Sequence, residues 1–248
     1  MKKIVILLTI SFLIVFAMTG CDGGAIIPDN GNNNGDDEPE DVNATVLMEA
    51  FIAMGCSACQ KVEPILEQLA LEYGKNRMVL VEIAPWGEYY TKETEQRYKW
   101  YGLSGGVPQI TFNGLGGHIS GASTYQAIKS LIDTQLAKTP AIKLEASRSV
   151  NSNGTVIQGK VKNISDTLLT NLVVNGMVFI DRGRTGFHYS VTDIFDDEKV
   201  FISKLSPGEE KDFTINIPGL NWTAKNDGVV FVQGTTGKKI IHQSLFLN

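Results

Sequence analysis

The spacing of two cysteines, Cys56 and Cys59, constrains the fold more than any other feature of the chain. They follow an apolar run at residues 46–52 and open a helical pattern at residues 60–69. A strand that delivers two thiols onto the first turn of a helix suits thiol–disulfide exchange. The unpaired N–H groups and positive partial charge of a helix N-terminus favour thiolate over thiol. The thiolate is the attacking species in that reaction.

The same cysteine spacing also occurs in zinc sites and in structural disulfides. Zinc normally takes four ligands, and only His118, His188 and His242 could supplement the two thiols, none of them spaced as a pair. A two-residue spacing closes a small, reactive ring rather than a long loop, which favours redox exchange over a structural disulfide. His118 lies near the sheet end of the same segment, so copper binding with the two thiols is a further alternative.

The N-terminus has the pattern of an export signal. Two lysines precede an apolar stretch from Ile4 to Ala17, which is too short for an ordinary membrane span, and small residues then precede Cys21. This ending resembles a bacterial lipobox. The resemblance implies a signal peptide at residues 1–20, a lipid on Cys21, and a protein held to a membrane in the cell envelope of a bacterium. Disulfides persist on the extracytoplasmic face of such a membrane.

Charge and composition limit the partners of the mature chain. Removing the signal leaves 20 basic against 27 acidic residues, a net charge near −7. Nucleic-acid binding requires a basic face, so no nucleic-acid partner is expected. Residues 21–43 are rich in Gly, Asn, Asp and Glu, with too few apolar side chains to form a core. They are predicted to be a flexible tether between the lipid and the folded part.

The hydrophobic pattern changes once along the folded part. Between residues 44 and 139 strand-like and helix-like runs alternate, which predicts an α/β domain with a mixed sheet. Its helical runs are 60–73, 91–101 and 124–136, and its strand-like runs are 46–52, 78–83, 108–112 and 118–121. Residues 140–248 contain short alternating runs separated by turn signals, which predict an all-β sandwich domain. These runs are 142–145, 156–161, 172–174, 178–180, 200–202, 213–217, 229–232 and 240–242.

Two proline motifs accompany the cysteines. Pro64 stands five residues after Cys59, and Val107-Pro108 opens a strand-like run. Together with the cysteines, these motifs make residues 45–137 resemble a thioredoxin. Residues 97–108 are similar to a subgroup of exported, often lipid-anchored members of that family. Residues 140–248 resemble bacterial Ig-like or fibronectin-like sandwich domains, in the runs 159–165, 172–174 and 205–209.

The thioredoxin resemblance implies roles for five residues. Cys56 is the exposed attacking thiolate and Cys59 the buried resolving thiol. A cis peptide bond before Pro108 lies beside the disulfide, and only proline adopts that bond at low cost. The backbone of Gly106 and Val107 next to it pairs with an extended substrate segment.

The chain also departs from the thioredoxin pattern. Gly55 stands where a Trp usually precedes the first cysteine, and Gln109 follows the second proline in place of a Thr. The buried acid of the preceding strand falls on Ala50, with Glu49 one place away. Because successive side chains of a strand point to opposite faces, Glu49 is predicted to face away from the cysteines. The redox potential and the clients of thioredoxins therefore do not transfer to this chain.

The sequence predicts an extracytoplasmic thiol–disulfide oxidoreductase. Cys56 and Cys59 would exchange disulfides with cysteine-containing extracytoplasmic proteins, and a membrane redox partner would restore them. No separate cofactor and no metal site are indicated. One alternative is a redox-quiet scaffold that acts as a cell-surface binding module through its sandwich. Another is a protein that delivers copper or zinc through the two cysteines.

Overall fold

The structure, a computed structural model, describes residues 42–183 and 186–248. Within these residues the chain forms three helices and twelve strands. In chain order they are β1 (Val46–Phe51), α1 (Ser57–Tyr73), β2 (Met78–Ile83), α2 (Lys92–Tyr101), β3 (Gln109–Phe112), β4 (Gly117–Ser120), α3 (Tyr125–Leu136), β5 (Ile142–Asn151), β6 (Gly154–Asn163), β7 (Leu169–Ile180), β8 (Ser190–Ile194), β9 (Val200–Leu205), β10 (Glu210–Pro218), β11 (Asn226–Gly234) and β12 (Ile241–Leu247). The predicted signal peptide, Cys21 and nearly all of the tether lie outside the described residues. No helix in the described part is both long and apolar enough to cross a membrane.

The first four strands form the mixed sheet that the sequence predicted. Their order is β2-β1-β3-β4, with β1 parallel to β2 and antiparallel to β3. Helices α1 and α3 cover one face of this sheet, where Leu66 and Ile132 are fully buried against Met48 and Phe112. Helix α1 follows β1 directly in sequence and packs on this face. The turn between them therefore carries Cys56 to the start of α1, with Cys59 in its first turn.

The ends of α2 follow from its capping residues. The Thr91 side chain accepts a hydrogen bond from the N–H of Thr94, and the Thr94 hydroxyl accepts one from the N–H of Thr91. This reciprocal pair satisfies donors that a helix start would otherwise leave unpaired. At the other end Gly102 has a φ of 73°, a left-handed conformation that glycine adopts without steric cost.

Residues 142–247 form two packed β-sheets. Strands β10, β6 and β5 make a three-stranded antiparallel sheet. Its apolar side chains, including Ile157 and Val161, share one core with Val174, Val178 and Val230 of the facing sheet. The segment is therefore all-β with two layers, as predicted. Its Ig-like or fibronectin-like character stays a prediction.

One strand of this segment is longer than the sequence indicated. The runs 172–174 and 178–180 were predicted to be separate strands, but both belong to β7. The Asn175-Gly176 pair between them lies within the strand and marks a close contact. A Cβ on Gly176 would lie 2.8 Å from the Phe195 ring, and the Asn175 side chain donates to Asp196 at 2.9 Å. The strand β8, which pairs with β7, was not predicted.

The sheets of the two segments are continuous. Strand β2 pairs in parallel with β8 at Glu82 and Ser190, and the Glu82 N–H donates to the Tyr189 carbonyl at 2.8 Å. The result is a nine-stranded sheet with the order β12-β11-β7-β8-β2-β1-β3-β4, and β9 pairs with β7. The described residues accordingly form one compact unit, a continuity that the change of pattern near residue 140 did not indicate.

Candidate active site

The two cysteines occupy different environments at the start of α1. Cys56 is the N-cap residue, and its Sγ accepts a hydrogen bond from the Cys59 N–H at 3.1 Å. Cys56 is partly exposed, whereas Cys59 is 1% exposed and belongs to the core beneath α1. The two are joined by a disulfide with a Cα–Cα distance of 5.2 Å. An attacking thiolate therefore reaches Cys56 and not Cys59.

The Val107–Pro108 segment lies against the exposed sulfur. The peptide bond between these residues is cis, and the Val107 carbonyl oxygen lies 3.7 Å from Cys56 Sγ. The Gly106 carbonyl is already used, since it accepts from the Tyr98 hydroxyl at 3.1 Å and from Gln109 Nε2 at 3.0 Å. Of the two residues predicted to pair with substrate, Val107 is thus the one whose carbonyl adjoins the partly exposed sulfur.

The structure places Glu49 as predicted, on the face away from the cysteines. Ala50 lies in the core with Cys59, while Glu49 is buried on the other side against α2. There Arg97 Nε forms an ion pair with Glu49 Oε1, and the Tyr101 hydroxyl donates to Glu49 Oε2 at 2.6 Å. Burial alone would lower the pKa of Arg97, but the adjacent Glu49 carboxylate raises it overall. Glu49 is therefore held as an ion pair within the core.

A second buried acid, Glu82, was not predicted from the sequence. In the register of β1 and β2, Glu82 stands beside Ala50, and the neighbouring residues Leu80 and Ala84 face the core that contains Cys59. Glu82 is 0% exposed, and burial raises the pKa of its carboxyl to about 8. One signal was available, because Glu82 is the charged residue within an otherwise apolar strand-like run. A charge in such a run is rarely buried without a specific reason.

The metal alternatives at the cysteines find no support in the geometry. Nε2 of His118 lies 2.7 Å from Oε1 of Gln109, and burial lowers the pKa of His118. Among the described residues, no histidine or carboxylate joins Cys56 or Cys59 in a cluster of three potential metal ligands. His188 and His242 belong to the second segment and lie outside any such cluster with the cysteines.

A cavity of about 560 Å³ lies away from the cysteines. It is formed by α2 and the C-terminal segment, and its lining includes Trp100, Lys199 and Phe201. Phe201 is 68% exposed, which is unusual for a large apolar side chain. A cavity of this volume falls in the range of small-molecule sites.

A mixed sheet ordered β2-β1-β3-β4, with a CxxC disulfide at the start of α1 and a cis proline against it, defines a thioredoxin-like fold. No family model and no curated protein matches the chain. Among solved structures, HBP35 of Porphyromonas gingivalis is similar over 82% of this chain and 74% of its own, with a TM-score of 0.65 and 15% identity. The chain therefore shares its fold with HBP35 over the part that the comparison covers.

Two solved thioredoxins are similar to a smaller part of the chain. The thioredoxin pre-protein of Schistosoma mansoni is 18% identical, with a TM-score of 0.30, and covers 42% of this chain and 90% of its own. Thioredoxin f2 of Chlamydomonas reinhardtii is 16% identical, with a TM-score of 0.31, and covers 41% of this chain and 90% of its own.

Proposed function

We propose that the protein is an extracytoplasmic thiol–disulfide oxidoreductase that exchanges disulfides with other exported proteins. The observation that carries the proposal is the unequal exposure of the two sulfurs. Cys56 is partly exposed and its Sγ accepts the Cys59 N–H, whereas Cys59 is buried. A purely structural disulfide has no need of one accessible sulfur at a helix N-terminus.

The exchange reaction would proceed through a mixed disulfide. A client thiolate attacks Cys56 Sγ, the Cys56–Cys59 bond breaks, and Cys59 leaves as a thiolate that takes up a proton. The second cysteine of the client, as a thiolate, then attacks the client sulfur that is bonded to Cys56, which forms the client disulfide and releases Cys56 as a thiolate. The client is oxidised to a disulfide, the cysteine pair is reduced, and the two protons of the client thiols end on Cys56 and Cys59. The reverse sequence reduces a client.

Two features of the site would favour this sequence. The Cys59 N–H and the N-terminus of α1 stabilise negative charge on Cys56, which makes it a good leaving group and a good attacking group. The Val107 backbone beside Cys56 Sγ would pair with an extended client segment, and Pro108 would shape the groove. Export and attachment through a lipid on Cys21 would place the enzyme at a bacterial membrane, where a membrane redox partner would restore the pair.

The test is the reduction potential of the Cys56–Cys59 pair in glutathione buffers, measured on the full chain with Cys21→Ser. We expect a value within about −270 to −120 mV, and a Cys56 pKa below the free value of about 8.5. A Cys59→Ser variant should accumulate mixed disulfides with client proteins, and the matched Cys56→Ser variant should accumulate none. A potential below about −300 mV, with an unperturbed Cys56 thiol, would identify a structural disulfide instead.

The second candidate is a redox-quiet binding module. It is favoured by the cavity of about 560 Å³ with the exposed Phe201 at its edge. In that case the reduction potential would lie below about −300 mV, as for a structural disulfide. The protein would also bind a ligand, and Phe201→Ala would weaken that binding while Cys56→Ser would leave it unchanged.

A further inference from the structure

Three glutamates meet on the edge of α1 nearest the second segment. Glu63 and Glu67 are one helical turn apart on α1, and Glu82 lies on the adjacent strand β2. One carboxylate oxygen from each of the three lies within 4.8 Å of the others. Carboxylates this close repel one another when ionised. A bound cation would remove that repulsion.

The Glu82 carboxylate provides a second, independent observation. The side chain is 0% exposed, and Oε2 accepts the Tyr189 N–H at 2.8 Å. Its other oxygen, Oε1, is buried without a hydrogen-bond partner among the described residues. Leaving one buried carboxylate oxygen unpaired is costly, because that atom has lost its water without gaining a hydrogen bond in return. A metal ion is a ligand that would satisfy this oxygen.

His188 approaches the same cluster from the loop between β7 and β8. Its Nδ1 lies 2.9 Å from Asp181 Oδ1, which also accepts the Gly183 N–H at 2.7 Å. An ionised carboxylate only accepts hydrogen bonds, so Nδ1 carries the proton and the lone pair of the neutral ring is on Nε2. This Nε2 lies 3.9 Å from Glu67 Oε1. A histidine held by a carboxylate through its other ring nitrogen is the usual arrangement of metal-ligating imidazoles.

We propose that Glu63, Glu67 and Glu82 bind one divalent metal cation, and that His188, whose Nε2 lies 3.9 Å from Glu67 Oε1, completes its ligands from the neighbouring loop. Three carboxylates and one imidazole form a donor set of hard oxygens with one nitrogen, which suits Mn²⁺ or Zn²⁺. Asp181 is the positioning residue that orients His188. The site requires neither cysteine thiol, so it is independent of the proposed exchange reaction and is intact when the disulfide is closed.

The position of the site gives it a structural consequence. Its ligands come from α1, from β2 and from the loop that precedes β8, so one ion would join the two segments beside their shared sheet. A cavity of about 260 Å³ next to it is lined by Cys59, Glu63, Glu67 and His188. The cation would therefore hold the loop residue His188 against the helix that carries the redox pair.

The test is metal binding by the full chain carrying Cys21→Ser, with the Cys56–Cys59 disulfide closed so that no thiol can act as a ligand. After removal of metals with a chelator, the protein is titrated with MnCl₂. Free Mn²⁺ is followed by electron paramagnetic resonance and the heat by calorimetry, and ZnCl₂ is then used as a competitor. We expect one saturable site per chain. The Asp181→Asn variant should bind about 10- to 100-fold more weakly, as is typical when the partner of a ligating histidine is removed.

The ligand variants decide the outcome. Glu82→Gln and Glu67→Gln should each abolish saturable binding, and Glu67→Gln guards against a folding defect because Glu67 is only partly buried. Glu72→Gln is the matched control, since Glu72 lies on the same helix outside the cluster and should leave binding unchanged. Absence of a saturable site for both metals overturns the proposal. So does binding that survives both Glu67→Gln and Glu82→Gln.

Discussion

Glu49 and Glu82 are buried on neighbouring strands of one sheet, yet their surroundings differ completely. Glu49 faces α2 and has Arg97 and Tyr101 on its two oxygens. Glu82 faces the opposite side, where one oxygen accepts the Tyr189 N–H and the other has no partner within the described residues. The first carboxylate is satisfied by the protein itself. The second has an oxygen that can still accept a ligand. This difference distinguishes a carboxylate that stabilises the fold from one that is a candidate for ligand binding.

The Glu49 network joins the two segments of the chain. Arg97 Nη2 donates to Gln233 Oε1 at 3.2 Å, and Gln233 Nε2 donates to the Tyr101 hydroxyl at 2.8 Å. The Arg97 guanidinium also lies 5.0 Å from the centre of the Phe231 ring. Strand β1 and helix α2 are thereby connected to β11, which is far away in sequence. Both buried acids thus lie where the segments meet, but on opposite faces of the continuous sheet.

The largest expected effect comes from removing the charge that balances Glu49. Arg97→Met should lower the free energy of unfolding by about 3–5 kcal/mol, because it leaves a carboxylate buried without its counter-charge. Unfolding of the parent protein and the variant in denaturant measures this difference in free energy. Lys99→Met is the matched control on the same helix, since Lys99 pairs with Glu95 at the surface and should cost less than about 1 kcal/mol. Equal losses in the two variants would show that the buried pair does not hold the segments together.

The next effect is the pH dependence that Glu82 imposes. Burial, together with the negative charges of Glu63 and Glu67, raises the pKa of its carboxyl from 4.5 to about 8 in the folded protein. The folded state therefore binds a proton that the unfolded state has released, and stability falls as the pH rises from about 4.5 to about 8. The His188 ring approaches the same cluster, with Nε2 3.9 Å from Glu67 Oε1.

The measurement is the free energy of unfolding of the parent protein and of Glu82→Gln at several pH values, with a chelator present. The difference between the two curves isolates Glu82 from the other titrating groups. We expect the parent protein to lose a few kcal/mol more than the variant between pH 4.5 and pH 8. Parallel curves would mean that Glu82 is ionised in the folded protein at little cost, and that burial does not shift its titration.

Local sequence patterns predicted much of the fold. The remaining features depend on pairing between strands that are far apart in sequence. The CxxC turn and the ends of α2 follow from residues close together in sequence, and the alternation of a strand was enough to place Glu49 on the far face. Glu82 could not be placed in the same way. Its burial depends on Tyr189, which is 107 residues away in sequence, and on the strand β8, which was not predicted from the hydrophobic pattern. Pairing over such a distance depends on how whole sheets meet, which local propensity does not encode.

The smallest of these effects tests whether the Glu49 network reaches the second segment. Gln233→Leu removes the acceptor for Arg97 and the donor to Tyr101 while keeping a similar volume. It should cost about 1–3 kcal/mol, the usual penalty when a buried hydrogen bond to a charged group is lost. In the Arg97→Met background the same change should cost less, because one of its partners is already absent, and a double-mutant cycle measures that coupling. Fully additive losses would mean that Gln233 stabilises β11 alone, and that the continuity of the sheet, not the ion pair, unites the two segments.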